Sequence, residues 1–113
     1  MKLVKEKISL EELKNMASKM FGNLVKAVID VEKEDFVVDA DLHSDQESFL
    51  LENGSNQKDL WGINIYPNKD ISERIEFDSM INLRPSFGNY SRNVEDKNIQ
   101  ERILKIVNSK ISE

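Results

Sequence analysis

The stretch VKAVIDVEKEDFVVDADLH, residues 25–43, decides the fold. Its first arm alternates, with apolar side chains on one face at Val25, Ala27, Ile29 and Val31. A charged run at 32–35 makes a plausible turn. The returning arm places Phe36, Val38, Ala40 and Leu42 on one face and Val37, Asp39, Asp41 and His43 on the other. This period of two predicts an antiparallel hairpin with one buried face.

Helix signals stand on both sides of this hairpin. The capping box Ser9–Glu12 predicts a helix start, and Gly22 is placed to end that helix in a left-handed conformation. A second capping box, Ser44–Glu47, predicts a short helix that Gly54 closes. Asp96 is the expected N-cap of a last helix, whose apolar residues recur at helical spacing.

A second hairpin is predicted between the second and third helices. Residues 60–66 and 74–84 read as its strands, and the polar segment 67–73 reads as its turn. Residues 85–93 carry Pro, Gly, Asn and Ser and read as a loop. One more short strand is expected at 2–6, ahead of the first helix.

The predicted order is therefore helix, hairpin, helix, hairpin, helix. This order is typical of an α+β fold with a largely antiparallel sheet of four to five strands and three helices. Because each strand has one apolar and one more polar face, we expect the helices to cover one sheet face. The other face would then be open to water or to a partner.

Composition narrows the class of protein. The chain of 113 residues, 39% hydrophobic and 33% charged, fits one domain over residues 1–113. The absence of cysteine excludes disulfides, thiolate metal sites and a catalytic thiol. No signal peptide and no apolar run of ~20 residues is seen, so a cytoplasmic location without membrane association is expected. The net charge of −5 disfavours nonspecific binding to nucleic acid.

Several segments carry a family resemblance. These are Leu51–Ser55, Asp59–Asn64, Glu76–Asn82, Arg84–Ser86 and Asn89–Arg92. Together they resemble a small prokaryotic family of unknown function whose members have about this length. The resemblance covers nearly the whole chain and implies a complete protein. It implies no activity and no catalytic residues.

The 84–92 loop is the first candidate site. Its donors are Arg84, Ser86, Asn89, Ser91 and Arg92. Gly88 lets backbone approach a ligand, and the following helix N-terminus adds free N–H groups. These are the parts of an anion site, in which arginine suits a phosphate or a carboxylate. The alternative is that the arginines pair with the chain's own acids, because no recognised phosphate motif is present.

A second candidate lies on the returning strand. Asp39, Asp41 and His43 share one predicted strand face, where one imidazole and two carboxylates could hold a divalent ion. His43 is the only histidine and the only candidate imidazole acid or base. The alternative interpretation, which we favour, is an ordinary solvated strand face.

Aromatic residues give a third feature. Phe87 and Tyr90 lie in the predicted loop beside arginines, where they could stack on a base or fill a pocket of a partner. We favour the alternative that they cover the edge of the core.

Three functional hypotheses follow. The leading one is a non-catalytic binding domain that uses the Arg84–Arg92 loop to bind a small anion or an acidic protein segment, without a cofactor. The alternative is a metal-assisted hydrolase that uses Asp39, Asp41 and His43. A homodimer through the open sheet face or an edge strand is the third.

Overall fold

The computed structural model of the protein describes residues 1–113. The strands are β1 (Lys2–Val4), β2 (Ile8–Ser9), β3 (Val25–Asp30), β4 (Asp35–Val38), β5 (Leu60–Ile65), β6 (Ile75–Glu76) and β7 (Ile111–Ser112). The α-helices are α1 (Leu10–Lys19), α2 (His43–Glu52) and α3 (Lys97–Lys110). Short 3₁₀ turns lie at Gln57–Asp59, Met80–Asn82 and Pro85–Phe87. None of the helices combines the length and the apolar character needed to cross a bilayer.

Five strands form one antiparallel sheet in the order β1-β4-β3-β5-β6. β2 and β7 form a separate parallel pair, which the sequence did not predict. The predicted α+β class, with three helices and a largely antiparallel sheet, is confirmed.

The first hairpin forms around the predicted turn, with Val28 opposite Val37. Its second strand, β4, ends at Val38 and is therefore shorter than predicted. Asp39 has φ of 66°, a left-handed conformation that a short polar side chain tolerates and that leaves the extended strand. The predicted continuation of this strand to His43 is therefore wrong, and His43 begins α2 instead.

The main core lies between the sheet and the helices α1 and α3. From the sheet, Ile29, Phe36, Val38 and Ile63 are fully buried there. The helices add Leu13 and Ala17 from α1 and Ile103 and Val107 from α3. These are the apolar positions whose spacing predicted the strands and helices.

α2 packs on the opposite sheet face, which we expected to be open. Leu50 of α2 joins Val28, Val37 and Leu60 in a second, smaller apolar cluster. The side-chain amide of Gln46 also donates to the backbone carbonyl of Lys26 at 2.8 Å. The expectation of an open face was wrong because Val28 and Val37 make that face apolar enough to bury a helix.

The helix caps are partly as predicted. Ser9 Oγ accepts the N–H of Glu12 at 3.0 Å, and Asp96 accepts the N–H of Asn98, so both predicted caps are confirmed. The predicted cap at Ser44 is wrong. The helix α2 starts two residues earlier, at His43, and its N-cap, Leu42, has no side chain that can accept a hydrogen bond.

The second hairpin is truncated. Its strand at 74–84 was predicted to be long, but β6 spans only Ile75–Glu76. The chain then forms a 3₁₀ turn, Met80–Asn82, that packs against β5 at Gly62. This turn replaces the expected strand because the side chain of Asn82 occupies the hydrogen-bonding edge of β5.

Candidate functional site

Arg84 was predicted to bind an anion, but it is buried, and both terminal nitrogens of its guanidinium donate within the protein, whereas its buried Nε has no partner. Its guanidinium donates to the backbone carbonyls of Gln57 and Leu60. It lies 4.4 Å from the ring centre of Trp61 and 5.4 Å from that of Phe87. Such contacts are cation–π interactions. Arg84 therefore anchors the start of β5.

Asn89 is also buried and engaged. Its amide nitrogen donates to the backbone carbonyls of Asn82, Ser91 and Asn93, and its oxygen accepts the N–H of Glu95 at 3.0 Å. This single side chain organises the loop that we had interpreted as a ligand site.

The other predicted loop donors are dispersed. Ser86 is exposed, and Ser91 Oγ accepts the N–H of Asn93. The N-terminus of α3 already has the carboxylate of Asp96 as its cap. Of the five predicted donors, Arg92 alone lines a cleft. The loop does not present Arg84, Ser86, Asn89, Ser91 and Arg92 as one site.

The residues of the metal hypothesis are separated as well. Asp39 lies in the turn after β4, 3.9 Å from the N-terminal amine, and Asp41 is exposed. His43 is buried in the first turn of α2. The common strand face is absent because the strand ends before them. No group of three or more His, Asp or Glu side chains in the protein could hold a metal ion.

A different site lies where α2 begins. We call it the cationic cleft. It has a volume of about 180 Å³ and is lined by Lys26, Leu42, His43, Ser44, Ser79, Met80, Ile81 and Arg92. β3 supplies Lys26, the start of α2 supplies residues 42–44, and the turn after β6 supplies residues 79–81. The lining contains two permanent positive charges, Lys26 and Arg92, and no acidic side chain.

Both cations of the cleft keep donors for a ligand. Arg92 Nε donates to Asp78 at 2.6 Å, and no hydrogen bond within the protein uses the two terminal guanidinium nitrogens. Lys26 Nζ lies 4.9 Å from the ring centre of Phe21, with no hydrogen-bond or ion-pair partner. The first N–H groups of α2 add partial positive charge, because Leu42 offers them no side-chain cap.

His43 forms the inner wall of the cleft and is only 9% exposed. Its Nε2–H donates to the carbonyl of Ile63 at 2.7 Å, since a carbonyl can only accept. Burial is the main cause that lowers the pKa of His43, and it outweighs the hydrogen bond to Ile63, which raises it. The charges of Lys26 and Arg92 lower the pKa further, and that of Asp78 opposes them. The ring is therefore neutral at pH 7, and Nδ1 is a hydrogen-bond acceptor without a partner in the protein.

Sequence reasoning found Arg92 and His43 but assigned them to two different sites. It missed Lys26, Ser44 and Ser79 as lining residues. One signal was available: Lys26 is a lone cation on a strand face that also carries Val28. The sequence alone could not place that face beside Arg92, because this depends on how the turn after β6 folds back.

A second cleft, of about 230 Å³, lies on α3. It is lined by Glu34, Arg102, Lys105, Ile106 and Ser109. Its charges are mixed, and Arg102 donates to the carbonyl of Val31. We therefore prefer the cationic cleft as the candidate site.

Comparison with known proteins gives one match, to a protein family. No curated protein and no solved structure matches the chain. A family model described as "Protein of unknown function (DUF5674)" matches residues 2–110. This match agrees with the resemblance to a family of unknown function that was noted in the sequence. Because the match covers nearly the whole chain, this protein belongs to the DUF5674 family.

Proposed function

We propose that this protein is a non-catalytic binding domain that binds an anionic group in the cationic cleft. One observation carries the proposal: Lys26 and Arg92 line the same cleft at the uncapped start of α2, and no acidic side chain lines it. The predicted loop thus contributes only Arg92. The cytoplasmic location predicted from the sequence remains part of this proposal.

The ligand group that fits is a phosphate or a carboxylate. Arginine presents a planar pair of terminal N–H groups to such an oxyanion, and lysine adds a mobile positive charge. Free N–H groups at a helix N-terminus favour the same kind of group. Ser44 and Ser79 line the cleft too and carry hydroxyls suited to the remaining oxygens.

The buried histidine supports binding over acid–base catalysis. The Nε2 of His43 is engaged with a main-chain carbonyl inside the sheet, so it cannot transfer a proton to a ligand without breaking that bond. The remaining nitrogen, Nδ1, can accept a hydrogen bond only from a ligand group that carries an O–H or N–H, which hydrogen phosphate has and a carboxylate lacks.

The test is an NMR titration of the ¹⁵N-labelled protein with inorganic phosphate and with succinate at low ionic strength. We expect saturable shifts at the amides of His43 and Ser44 and at Arg92 Nε. Charge-assisted hydrogen bonds contribute enough that Lys26→Gln or Arg92→Gln should each weaken binding about tenfold.

The matched control is Lys14→Gln, which removes an exposed lysine of α1, on the other side of the sheet. It should leave binding unchanged. Arg92→Gln also breaks the exposed pair with Asp78, which contributes little to stability, so the variant should remain folded. The proposal is wrong if neither anion gives saturable shifts, or if the shifts persist in the Lys26→Gln/Arg92→Gln double variant.

A further inference from the structure

The rim of the cationic cleft carries apolar side chains that a simple anion does not need. Leu42 is 52% exposed and Met80 is 61% exposed, and both line the cleft. Exposed large apolar residues continue along the same turn and loop at Leu83, Phe87 and Tyr90. Phe87 is 50% exposed, with its ring centre 5.4 Å from the guanidinium of Arg84, and Tyr90 is 69% exposed, so neither is a buried core residue.

The volume of the cleft argues against a large organic ligand. Small-molecule pockets are typically ~300–1,000 Å³ and enclose most of their ligand. At about 180 Å³, the cationic cleft accommodates a side chain or two. An exposed methionine that lines such a cleft, as Met80 does, is typical of protein interaction surfaces.

Charge selects the kind of protein segment. Lys26 and the terminal nitrogens of Arg92, which the pair with Asp78 leaves free, suit acidic side chains. Leu42 and Met80 favour an apolar side chain next to them. The Nδ1 of His43, which has no partner within the protein, can accept a hydrogen bond, and a peptide backbone supplies one as N–H. An acidic peptide with an apolar residue satisfies all three requirements together.

We propose that the cationic cleft is the docking site for an acidic peptide segment of another protein. The segment places its carboxylates on Lys26 and Arg92 and one apolar side chain between Leu42 and Met80. This inference rests on the proposed function and specifies its ligand class.

The experiment uses three fluorescein-labelled peptides and fluorescence anisotropy on the full chain. The probes are Glu-Asp-Leu-Glu-Asp, the same peptide with Gly for Leu, and Lys-Lys-Leu-Lys-Lys. Burial of the leucine between two rim residues should make the first peptide bind about tenfold tighter than the second. The basic peptide should not bind.

Variants locate the apolar contact. Met80→Ala and Leu42→Ala should weaken binding of the leucine peptide about fivefold and leave binding of the glycine peptide unchanged, because partial loss of apolar burial costs roughly that factor. Alanine at position 42 adds no side chain that could cap the N–H groups of α2. Both residues are exposed, so the fold should survive. Met20→Ala is the matched control, because Met20 is also exposed but lies at the end of α1.

The outcomes separate this inference from the proposed function. The peptide inference alone is overturned if the leucine and glycine peptides bind equally well. It is also overturned alone if no peptide binds while phosphate still shifts the amides of His43 and Ser44. Loss of both responses overturns both proposals. Sedimentation would detect self-association of the protein. If Lys26→Gln abolished it, a second copy of this chain would occupy the cleft, and the proposal of a segment from another protein would be wrong.

Discussion

The side-chain amide of Asn82 pairs with the backbone of Gly62 through two hydrogen bonds. Gly62 N–H donates to Asn82 Oδ1 at 2.8 Å, and Asn82 Nδ2 donates to the carbonyl of Gly62 at 2.9 Å. The amide thus takes the place of a strand residue on the edge of β5 beyond the end of β6. This pairing holds the 79–82 turn, and with it one wall of the cationic cleft, against the sheet.

Asn82→Ala should therefore destabilise the protein by about 3 kcal/mol, because both backbone groups of Gly62 lose their buried partner. Urea denaturation followed by circular dichroism measures this loss. Asn68→Ala, in the exposed turn of the second hairpin, serves as the control and should change stability by less than about 0.5 kcal/mol. Equal stability of the two variants would contradict the role assigned to Asn82.

Gly62→Ala should destabilise the protein by about 2 kcal/mol, as expected for overpacking. An added Cβ would lie 2.5 Å from the Cβ of Ser79 and 2.6 Å from its Oγ. The double variant Gly62→Ala/Ser79→Gly removes these contacts, so its loss should be smaller than the sum of the two single losses. Additive losses in this double-mutant cycle would show that contact with Ser79 is not what makes a side chain at position 62 unfavourable.

Arg84→Lys should cost about 2 kcal/mol of stability, since a lysine cannot donate to Gln57 and Leu60 together while it lies over Trp61. Arg92→Lys, at an exposed position in the same loop, is the comparison and should be nearly neutral. Thermal denaturation measures both variants. The Arg84→Lys variant should bind phosphate as tightly as the wild type. Weaker binding would show that Arg84 contacts the ligand.

Asp35→Asn should stabilise the protein at pH 7. Burial raises the pKa of Asp35 above its ordinary value of 3.8, and the neighbouring Asp30 adds to the rise. Ionisation of Asp35 therefore lowers the free energy of unfolding as the pH increases through the raised pKa. The gain from Asp35→Asn should be largest at pH 7 and should vanish below the ordinary value.

Asp30→Asn is the matched variant, and it should lower the free energy of unfolding where Asp35→Asn raises it. The carboxylate of Asp30 accepts hydrogen bonds from the N–H groups of Glu32 and Lys33 and from the hydroxyl of Ser55. An amide cannot accept all of these, so this variant should lose stability. Urea midpoints near pH 3 and at pH 7 measure both effects. A destabilising Asp35→Asn at pH 7 would contradict the prediction.

His43 should titrate below its ordinary pKa of 6.5, chiefly because of burial. The unfolded chain then binds a proton more readily than the native protein, so this group makes stability decrease as the pH falls below 6.5. Proton NMR resolves the titration directly, since the chain has one histidine. Lys26→Gln should raise the pKa, because the Lys26 charge lowers it. A native pKa at or above the ordinary value would refute this environment for His43.

The sequence predicted the α+β class because local patterns create most of its elements. The alternation at Val25–Val31 and Phe36–Val38 buries one strand face, and the polar side chains of Ser9 and Asp96 cap their helices through contacts a few residues away. Each of these signals acts within about one helical turn or one strand, so it can be recognised from the local sequence alone.

Only the tertiary structure decided the second sheet face, the short β6 and the candidate site. α2 covers Val28 and Val37 because distant apolar residues meet there, and Asn82 replaces a strand by reaching Gly62. The same long-range packing buries Arg84 and brings Lys26 and Arg92 to one cleft. A donor-rich loop looks alike in sequence whether its side chains bind a ligand or the protein's own carbonyls. The difference depends on which backbone groups the fold leaves unpaired.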